Sequence, residues 1–207
     1  MRPRFEALPI EEALPGLRQA LLNGNRALLV APPGAGKTTR VPLDLLEAPW
    51  RGDGTILVLE PRRIAARGAA SRMASLLGEN LGETVGLRTR FESKSSAKTR
   101  ILVVTEGVFA RMAVDDPDLP GLAAVLFDEF HERSLDADFG LALALESQGA
   151  LRPDLRLLVM SATLDDQRLS ALLGDAPVIR SEGRTYPVQT RYTGRDAAKR
   201  IESYLSS

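Results

Sequence analysis

Five short apolar runs alternate with segments of helical periodicity along most of this chain. Successive apolar positions rich in leucine and valine are typical of strands buried on both faces of a sheet. The runs are ALLVA at 27–31, TILVLE at 55–60, RILVVT at 100–105, AAVLFDE at 123–129 and LRLLVMSAT at 155–163. Helical spacing occupies 11–23, 38–48, 62–78, 106–114 and 134–147. Alternating strands and helices form parallel βαβ units, so the sequence predicts an α/β fold with a mostly parallel, doubly wound sheet and helices on both faces.

The composition excludes several kinds of site. The 207 residues include no cysteine and one histidine, His131, which excludes thiol catalysis, disulfides and a site with paired histidine ligands. Because 27 Lys and Arg balance 27 Asp and Glu, a nucleic-acid partner would need local basic patches. The sequence has no run of about 18 apolar residues and no signal-peptide pattern, so we expect no membrane association and a cytoplasmic location.

The segment APPGAGKTT, residues 31–39, stands where the first run meets a helix and is similar to the phosphate-loop pattern, with Ala31 in place of the first glycine. Glycines at this point let backbone N–H groups face phosphate oxygens, and the helix N-terminus adds a positive dipole end. Lys37 is expected to reach the β- and γ-phosphates, and Thr38 to bind Mg²⁺. The predicted nucleotide-binding residues are Gly34, Ala35, Gly36, Lys37, Thr38 and Thr39. The alternative is a Gly/Pro-rich turn with an incidental lysine.

Two acids, Asp128 and Glu129, end the fourth run. At the carboxyl edge of a parallel sheet they would lie beside the phosphate loop. Asp128 is then expected to bind Mg²⁺, directly or through water, and Glu129 to orient or deprotonate the attacking water. Taken alone, the pair also fits a solvated turn or a helix cap.

The hexapeptide DEFHER, residues 128–133, resembles the DEAH-box signature of superfamily 2 helicases, with Phe130 in place of alanine. Other segments match that family in order: EPRRIAA at 60–66 resembles motif Ia, TEG at 105–107 motif Ib and SAT at 161–163 motif III. The variants of the loop and of DEFHER are most similar to the bacterial HrpB subfamily. The resemblance covers about residues 10–192 and implies a RecA-like P-loop NTPase domain that uses ATP, or another nucleoside triphosphate, with Mg²⁺.

The same resemblance assigns roles to further residues. His131 would join Lys37, Asp128 and Glu129 as a catalytic residue and would link hydrolysis to Ser161 and Thr163, the coupling residues. Arg72 would stack on the adenine, although it also fits a solvated helix position. The nucleic-acid contacts implied by the resemblance are Arg62, Arg63, Arg90, Thr105 and Gly107, and the expected partner is a single-stranded nucleic acid, with RNA favoured.

Charge is segregated along the chain in a way that suits such a partner. Segment 60–72 has four arginines and one glutamate, and segment 88–100 has five basic residues and one glutamate. Segment 111–138 carries eight acids and two arginines. Basic runs are usually solvated faces, but a strand held through its phosphates requires such patches.

For the domain organisation we predict a RecA-like ATP-binding lobe at 1–180 and, at 181–207, a connector with the truncated start of a second RecA-like lobe. The family's second lobe and C-terminal domains would then be missing partners, and the chain alone is expected to be monomeric and weakly active. Two alternatives stay open: a stand-alone P-loop ATPase or kinase, and a regulatory lobe switched by nucleotide without unwinding activity.

Overall fold

A computed structural model of the chain describes residues 8–163 and 166–182, which form six α-helices and eight strands. The helices are α1 Leu14–Asn23, α2 Lys37–Leu45, α3 Arg63–Leu77, α4 Glu106–Asp115, α5 Leu135–Ala150 and α6 Asp166–Leu172. The strands are β1 Arg26–Val30, β2 Thr55–Glu60, β3 Val85–Arg88, β4 Ser93–Lys94, β5 Ile101–Thr105, β6 Leu122–Phe127, β7 Arg156–Ser161 and β8 Val178–Arg180. Short 3₁₀ turns cover Pro9–Glu12, Pro49–Arg51 and Phe130–Glu132.

All eight strands belong to one sheet, in the order β4-β3-β5-β2-β6-β7-β1-β8. Every pair is parallel except the β3–β4 hairpin at one edge. The predicted α/β fold with a mostly parallel, doubly wound sheet is therefore confirmed.

The helices cover both faces of the sheet, and each face has its own apolar core. Helices α1, α2 and α3 bury one set of leucine, valine and alanine side chains against it. Helices α4, α5 and α6 cover the other face, where Phe127 of β6 packs edge-on against Phe109 and Phe130 with ring centroids 5.8 and 6.1 Å apart. Within the described ranges, none of the helices has the length and apolar character of a membrane span.

The five predicted strands and the five predicted helices are present, with bounds shifted by a few residues. The first helix is shorter than expected because a 3₁₀ turn occupies Pro9–Glu12 and α1 begins at Leu14, and the second is shorter because α2 ends at Leu45 rather than at residue 48. The hairpin β3–β4 and helix α6 were not predicted: β4 is two exposed polar residues without an apolar run, and α6 is short. The sequence also predicts extended segments at 177–180 and 187–192 and a helix at 196–205. Strand β8 confirms the first of these, and the other two lie outside the described residues.

Gly140 on α5 lets this helix approach the sheet closely. A Cβ placed there would lie 3.1 Å from Phe109 Cδ1 and 3.7 Å from Phe127 Cε1. We expect Gly140→Leu to overpack this face and lower the free energy of unfolding by about 1–3 kcal/mol. Gly149→Ala on the same helix has nothing within 4 Å and should instead raise it by about 0.5–1 kcal/mol. Urea titrations compare the two variants, and equal effects would contradict the packing argument.

Candidate functional site

The predicted motif segments all follow the carboxyl ends of adjacent parallel strands. The register aligns those ends: Val30 of β1 pairs with Ser161 of β7, and Glu60 of β2 pairs with Thr105 of β5. Across the edge the order is therefore TEG after β5, EPRR after β2, DEFHER after β6, SAT after β7 and the phosphate loop after β1. Four segments that are distant in sequence are thus collected beside the loop at one edge.

The phosphate loop owes its shape to its two glycines. Gly34 and Gly36 have φ angles of 75° and 97°, in the left-handed region that favours glycine. Helix α2 begins directly afterwards at Lys37, so its free N–H groups and the positive end of its dipole face the loop. Among the predicted loop residues, Ala35 and Lys37 are buried, Thr38 and Thr39 are half-buried, and Gly34 is exposed. This is the geometry of an anion-binding loop.

The predicted loop residues and acids are in contact. The Thr38 hydroxyl donates a hydrogen bond to Asp128 Oδ2, and Lys37 Nζ lies 3.8 Å from Glu129 Oε1. Lys37 Nζ also donates to the Ala31 carbonyl at 2.8 Å, which holds the ammonium at the base of the loop. The structure therefore brings the predicted lysine, threonine and two acids into one cluster.

Burial shifts the pKa of two carboxyl groups in this cluster. Asp128 is 1% exposed, and its pKa is raised chiefly by burial, against which the hydrogen bond from Thr38 acts. Glu60, at the end of the neighbouring β2, is 2% exposed and shares a hydrogen bond with Asp128. Burial first, and then the charge of Asp128, raise the pKa of Glu60 to about 9. At neutral pH Glu60 is therefore a protonated donor toward Asp128.

Glu129 has φ 47° and ψ 34°, a left-handed conformation that is uncommon for a residue other than glycine. This conformation starts the 3₁₀ turn Phe130–Glu132 and directs the carboxylate toward both Lys37 and His131. Strained backbone of this kind clusters at functional sites. The observation supports a role for Glu129 beyond that of a solvated turn residue.

His131 stands between Glu129 and the segment after β7. Its Nδ1 atom lies 3.3 Å from Glu129 Oε2 and accepts a hydrogen bond from the Ala162 N–H at 3.2 Å. One ring nitrogen cannot donate and accept at once, so the two contacts are alternatives set by the proton on Nδ1. The adjacent coupling candidates differ in exposure: Ser161 is buried, whereas Thr163 is exposed and its N–H points to Ser161 Oγ at 3.4 Å.

The donor set around Thr38 fits a magnesium ion bound together with phosphates. Mg²⁺ prefers oxygen ligands and in phosphate loops takes few of them from the protein. The Thr38 hydroxyl and the Asp128 carboxylate are such ligands, already within hydrogen-bond distance of one another. Among the described residues, no cluster of three or more acidic or histidine side chains forms a separate metal site.

The predicted strand-binding arginines follow β2 and β3 at the same edge of the sheet, and we call this part its basic half. Arg62 is exposed and pairs with both carboxylate oxygens of Glu132 at 3.0 Å. Arg63 and Arg90 flank the aromatic ring of Phe91, with guanidinium carbons 5.0 and 5.5 Å from its centroid. Phe91 is 73% exposed at the tip of the β3–β4 hairpin. An exposed ring between two arginines offers both stacking surface and positive charge.

The remaining predicted residues occupy distinct places. Thr105 precedes α4, and Gly107 lies in its first turn, where a Cβ would approach Asp136 Oδ2 to 3.0 Å. Arg72 is exposed on α3. Thr105 and Gly107 therefore adjoin the basic half of the edge through the β2–β5 pairing, whereas the role of Arg72 stays a prediction.

Sequence reasoning missed two residues of this edge, Glu60 and Phe91. In the sequence, Glu60 is only the polar residue at the end of a strand. Its burial beside Asp128, which raises its pKa and leaves it protonated, is visible only in the structure. Phe91 follows Arg90 within a basic segment, and an aromatic residue interleaved with arginines is the signal that could have indicated it.

Comparison with known proteins gives a consistent result. The family described as DEAD/DEAH box helicase matches residues 16–172. The chain is 52% identical over 202 residues to the ATP-dependent RNA helicase HrpB of Escherichia coli (strain K12), covering 98% of this chain and 25% of that protein. It is 41% identical over 187 residues to the DExH-box ATP-dependent RNA helicase DExH1 of Arabidopsis thaliana, covering 86% of this chain and 19% of that protein.

Solved structures agree in fold. A crystal structure of the Escherichia coli DEAH/RHA helicase HrpB superposes with a TM-score of 0.85 at 52% identity, covering 95% of this chain and 25% of that one. A second, of the E. coli DExH-box NTPase HrpB, gives 0.83 at 50% identity, covering 97% of this chain and 25% of that one. The chain thus spans about a quarter of the length of these relatives.

The proton that Glu60 retains predicts how the free energy of unfolding depends on pH. With a folded-state pKa of about 9 against an ordinary 4.5, the folded state retains a proton that the unfolded chain loses. The free energy of unfolding should therefore fall as pH rises from about 4.5 to 9. Glu60→Gln still donates to Asp128 but cannot ionise, so we expect a flatter profile and a gain of about 3 kcal/mol at pH 7.

Urea unfolding in metal-free buffer at several pH values measures this effect. Glu146→Gln on α5 removes a glutamate elsewhere and serves as the control. Parallel pH profiles for the wild type and Glu60→Gln would refute the shared proton.

Proposed function

We propose a function from one premise: this chain belongs to the DEAD/DEAH box helicase family. It is the nucleotide-binding and strand-binding first lobe of a longer RNA helicase. It binds ATP, or another nucleoside triphosphate, with Mg²⁺ and hydrolyses the terminal phosphate. In the full protein, that hydrolysis drives movement along a single strand of RNA. Its relatives' names as ATP-dependent RNA helicases support this substrate.

The observation that carries the proposal is the cluster of Lys37, Thr38, Asp128 and Glu129. The contacts of Thr38 with Asp128 and of Lys37 with Glu129 link the phosphate loop to two acids 90 or more residues away in sequence. A Gly/Pro-rich turn with an incidental lysine does not account for both contacts. A polyphosphate-binding site next to a general base that activates water accounts for both contacts.

The residues have separable tasks in hydrolysis. The loop N–H groups and Lys37 bind the β- and γ-phosphates and stabilise the charge that develops on them. Glu129 accepts a proton from water while the water oxygen bonds to the γ-phosphorus. The bond from that phosphorus to the β–γ bridging oxygen then breaks, and the diphosphate and inorganic phosphate leave. His131, which contacts Glu129 and Ala162, transmits the state of this site to the segment 161–163.

Thr38 and Asp128 would hold the magnesium ion. When bound, the ion neutralises phosphate charge and orients the terminal phosphate. The buried Asp128 is fixed for this task by hydrogen bonds from Thr38 and from the Glu129 N–H, the latter at 2.8 Å.

Strand binding is assigned to the basic half of the edge. Arg62, Arg63 and Arg90, with Thr105 and Gly107, would grip the sugar–phosphate backbone, and Phe91 would stack on a base. Contacts of this kind do not read sequence, which suits a protein that moves along its strand. RNA is preferred over DNA in this proposal on the strength of the relatives' names alone.

The rest of the catalytic machinery is proposed to come from a second lobe. Family members supply from that lobe the arginines that stabilise the transferring phosphoryl group, and such an arginine is worth about 10³–10⁵ in turnover. We therefore propose that the chain by itself binds nucleotide, hydrolyses it slowly and does not unwind a duplex. Its location is proposed to be cytoplasmic and its isolated state monomeric.

Replacing Glu129 with glutamine tests the hydrolytic role. Glutamine keeps the size of the side chain but cannot take the proton, so we expect turnover to fall about 10²–10⁴-fold while nucleotide affinity changes little. Phosphate release and titration with a labelled nucleotide measure the two quantities. Glu132→Gln alters the acid paired with Arg62 and should leave slow turnover without RNA unchanged. Unaltered turnover in Glu129→Gln would remove Glu129 from the mechanism.

Replacing Phe91 with alanine tests the strand interface. Loss of a stacked base should weaken the binding of labelled single-stranded RNA about 5- to 30-fold at fixed salt. Phe139→Ala removes a ring that is 47% exposed on α5 and serves as the matched control. If the wild type binds no RNA even at low salt, a stand-alone ATPase replaces the helicase proposal. Equal affinities of the wild type and Phe91→Ala would place the strand elsewhere.

A further inference from the structure

Residues 8–12, to which the sequence motifs give no role, pack against the phosphate loop. The buried Ile10 donates its N–H to the Ala35 carbonyl at 3.2 Å. A Cβ built on Gly36 would lie 2.7 Å from Leu8 Cδ1 and 3.4 Å from Ile10 Cγ2. The side chains of Leu8 and Ile10 therefore fill the space beside Gly36, the glycine at the junction of the loop and α2. Their packing limits the conformations that the loop can adopt.

Glu11 fixes the same turn to the start of α2. Its Oε1 atom lies 2.5 Å from Arg40 Nη2, in a pair whose arginine side chain is 11% exposed. The Arg40 N–H in turn bonds to the Gly36 carbonyl at 2.9 Å. The turn thus contacts both parts of the anion site, the loop and the first turn of the helix.

Ser181 ties the turn to the sheet. Its hydroxyl donates to the Pro9 carbonyl at 3.0 Å, and its N–H donates to the Val30 carbonyl at 2.9 Å. Val30 is the last residue of β1, directly before the loop begins at Ala31. Ser181 is 6% exposed, so its hydroxyl sits in a protected bond between two segments that both border the loop.

We infer that Leu8, Ile10 and Glu11, held in place by Ser181, are positioning residues that keep the phosphate loop in its anion-binding conformation. The inference rests on the proposed function and deepens it. The contacts go to Ala35 and Gly36 of the loop and to Arg40, which lies in the first turn of α2. The turn therefore acts on phosphate binding, and its effect is the same whichever base the nucleotide carries.

Two variants of the 207-residue chain test this inference. Leu8→Ala removes the side chain beside Gly36, and Ser181→Ala removes only the hydroxyl bonded to Pro9. The controls are Leu22→Ala, a leucine 52% exposed on α1, and Ser170→Ala on α6, which covers the opposite face of the sheet and whose Ser170 hydroxyl donates to the Ala176 carbonyl at 2.9 Å. Calorimetric titration with Mg–ADP and with Mg–tripolyphosphate, which has phosphates but no base, gives the affinities.

We expect Leu8→Ala to lower the affinity for both ligands about 3- to 10-fold and Ser181→Ala to lower it about 2- to 5-fold. The affinities of the two control variants should equal those of the wild type. Circular dichroism before each titration shows whether the variant is folded. Should Leu8→Ala fail to fold, Ser181→Ala carries the test, because loss of one hydroxyl leaves the packing intact.

The outcomes separate this inference from the function on which it rests. If folded Leu8→Ala and Ser181→Ala bind tripolyphosphate as tightly as the wild type does, the inference is overturned but the proposed function is not. Loss of ADP binding with normal tripolyphosphate binding overturns it too, because the turn would then act on the base. If the wild type binds neither ligand, the proposed function itself is wrong and the inference falls with it.

Discussion

The hydrogen bond between Thr38 and Asp128 joins two segments 90 residues apart, and the arrangement of the site depends on it. The two residues follow β1 and β6, which are not neighbours, because β7 lies between them. Neighbouring strands are about 4.8 Å apart, so the loop must reach across the end of β7 to meet the acid. The Ala31 N–H, bonded to the Ser161 carbonyl at 3.0 Å, starts the loop in that direction. A register slip of one residue in β7 would reverse its side chains and move this support away.

This edge carries a cost in stability that the apolar cores must offset. Lys37, Glu60 and Asp128 are each at most 3% exposed, and buried charge is stabilising only when it is fully paired. The chain limits the cost by keeping Glu60 protonated, by directing Lys37 to the Ala31 carbonyl and by placing two donors on Asp128. Replacing buried charged groups by apolar side chains of similar volume is often neutral or stabilising. Under the proposed function, the binding of phosphates and Mg²⁺ accounts for the retention of these polar side chains.

The sequence predicted the central strands and their helices because each is a buried segment with an unambiguous period. Runs such as TILVLE cannot be placed at a solvated surface, and parallel pairing then brings their carboxyl ends together. It did not predict β4, whose two exposed residues are selected by the hairpin rather than by an apolar pattern. The contacts of Lys37 and Asp128 followed from motif and topology. The proton on Glu60 and the packing of Leu8 on Gly36 depend on depth and side-chain direction, which no local pattern records.

The five residues from Asp128 to Glu132 connect the two halves of the edge physically. At one end Glu129 faces Lys37, and at the other Glu132 holds Arg62 at 3.0 Å. The 3₁₀ turn between them is short and is anchored by the buried Phe130, whose ring packs edge-on against Phe127. A turn fixed at its centre transmits a displacement at one end to the other more readily than a free loop does. Under the proposed function, this short turn would link nucleotide binding next to Glu129 to strand binding by Arg62. In the same proposal, Glu129 and Glu132 lie between the phosphate site and the arginines proposed to bind the strand, and their negative charge would separate the two cationic sites in a chain of balanced net charge.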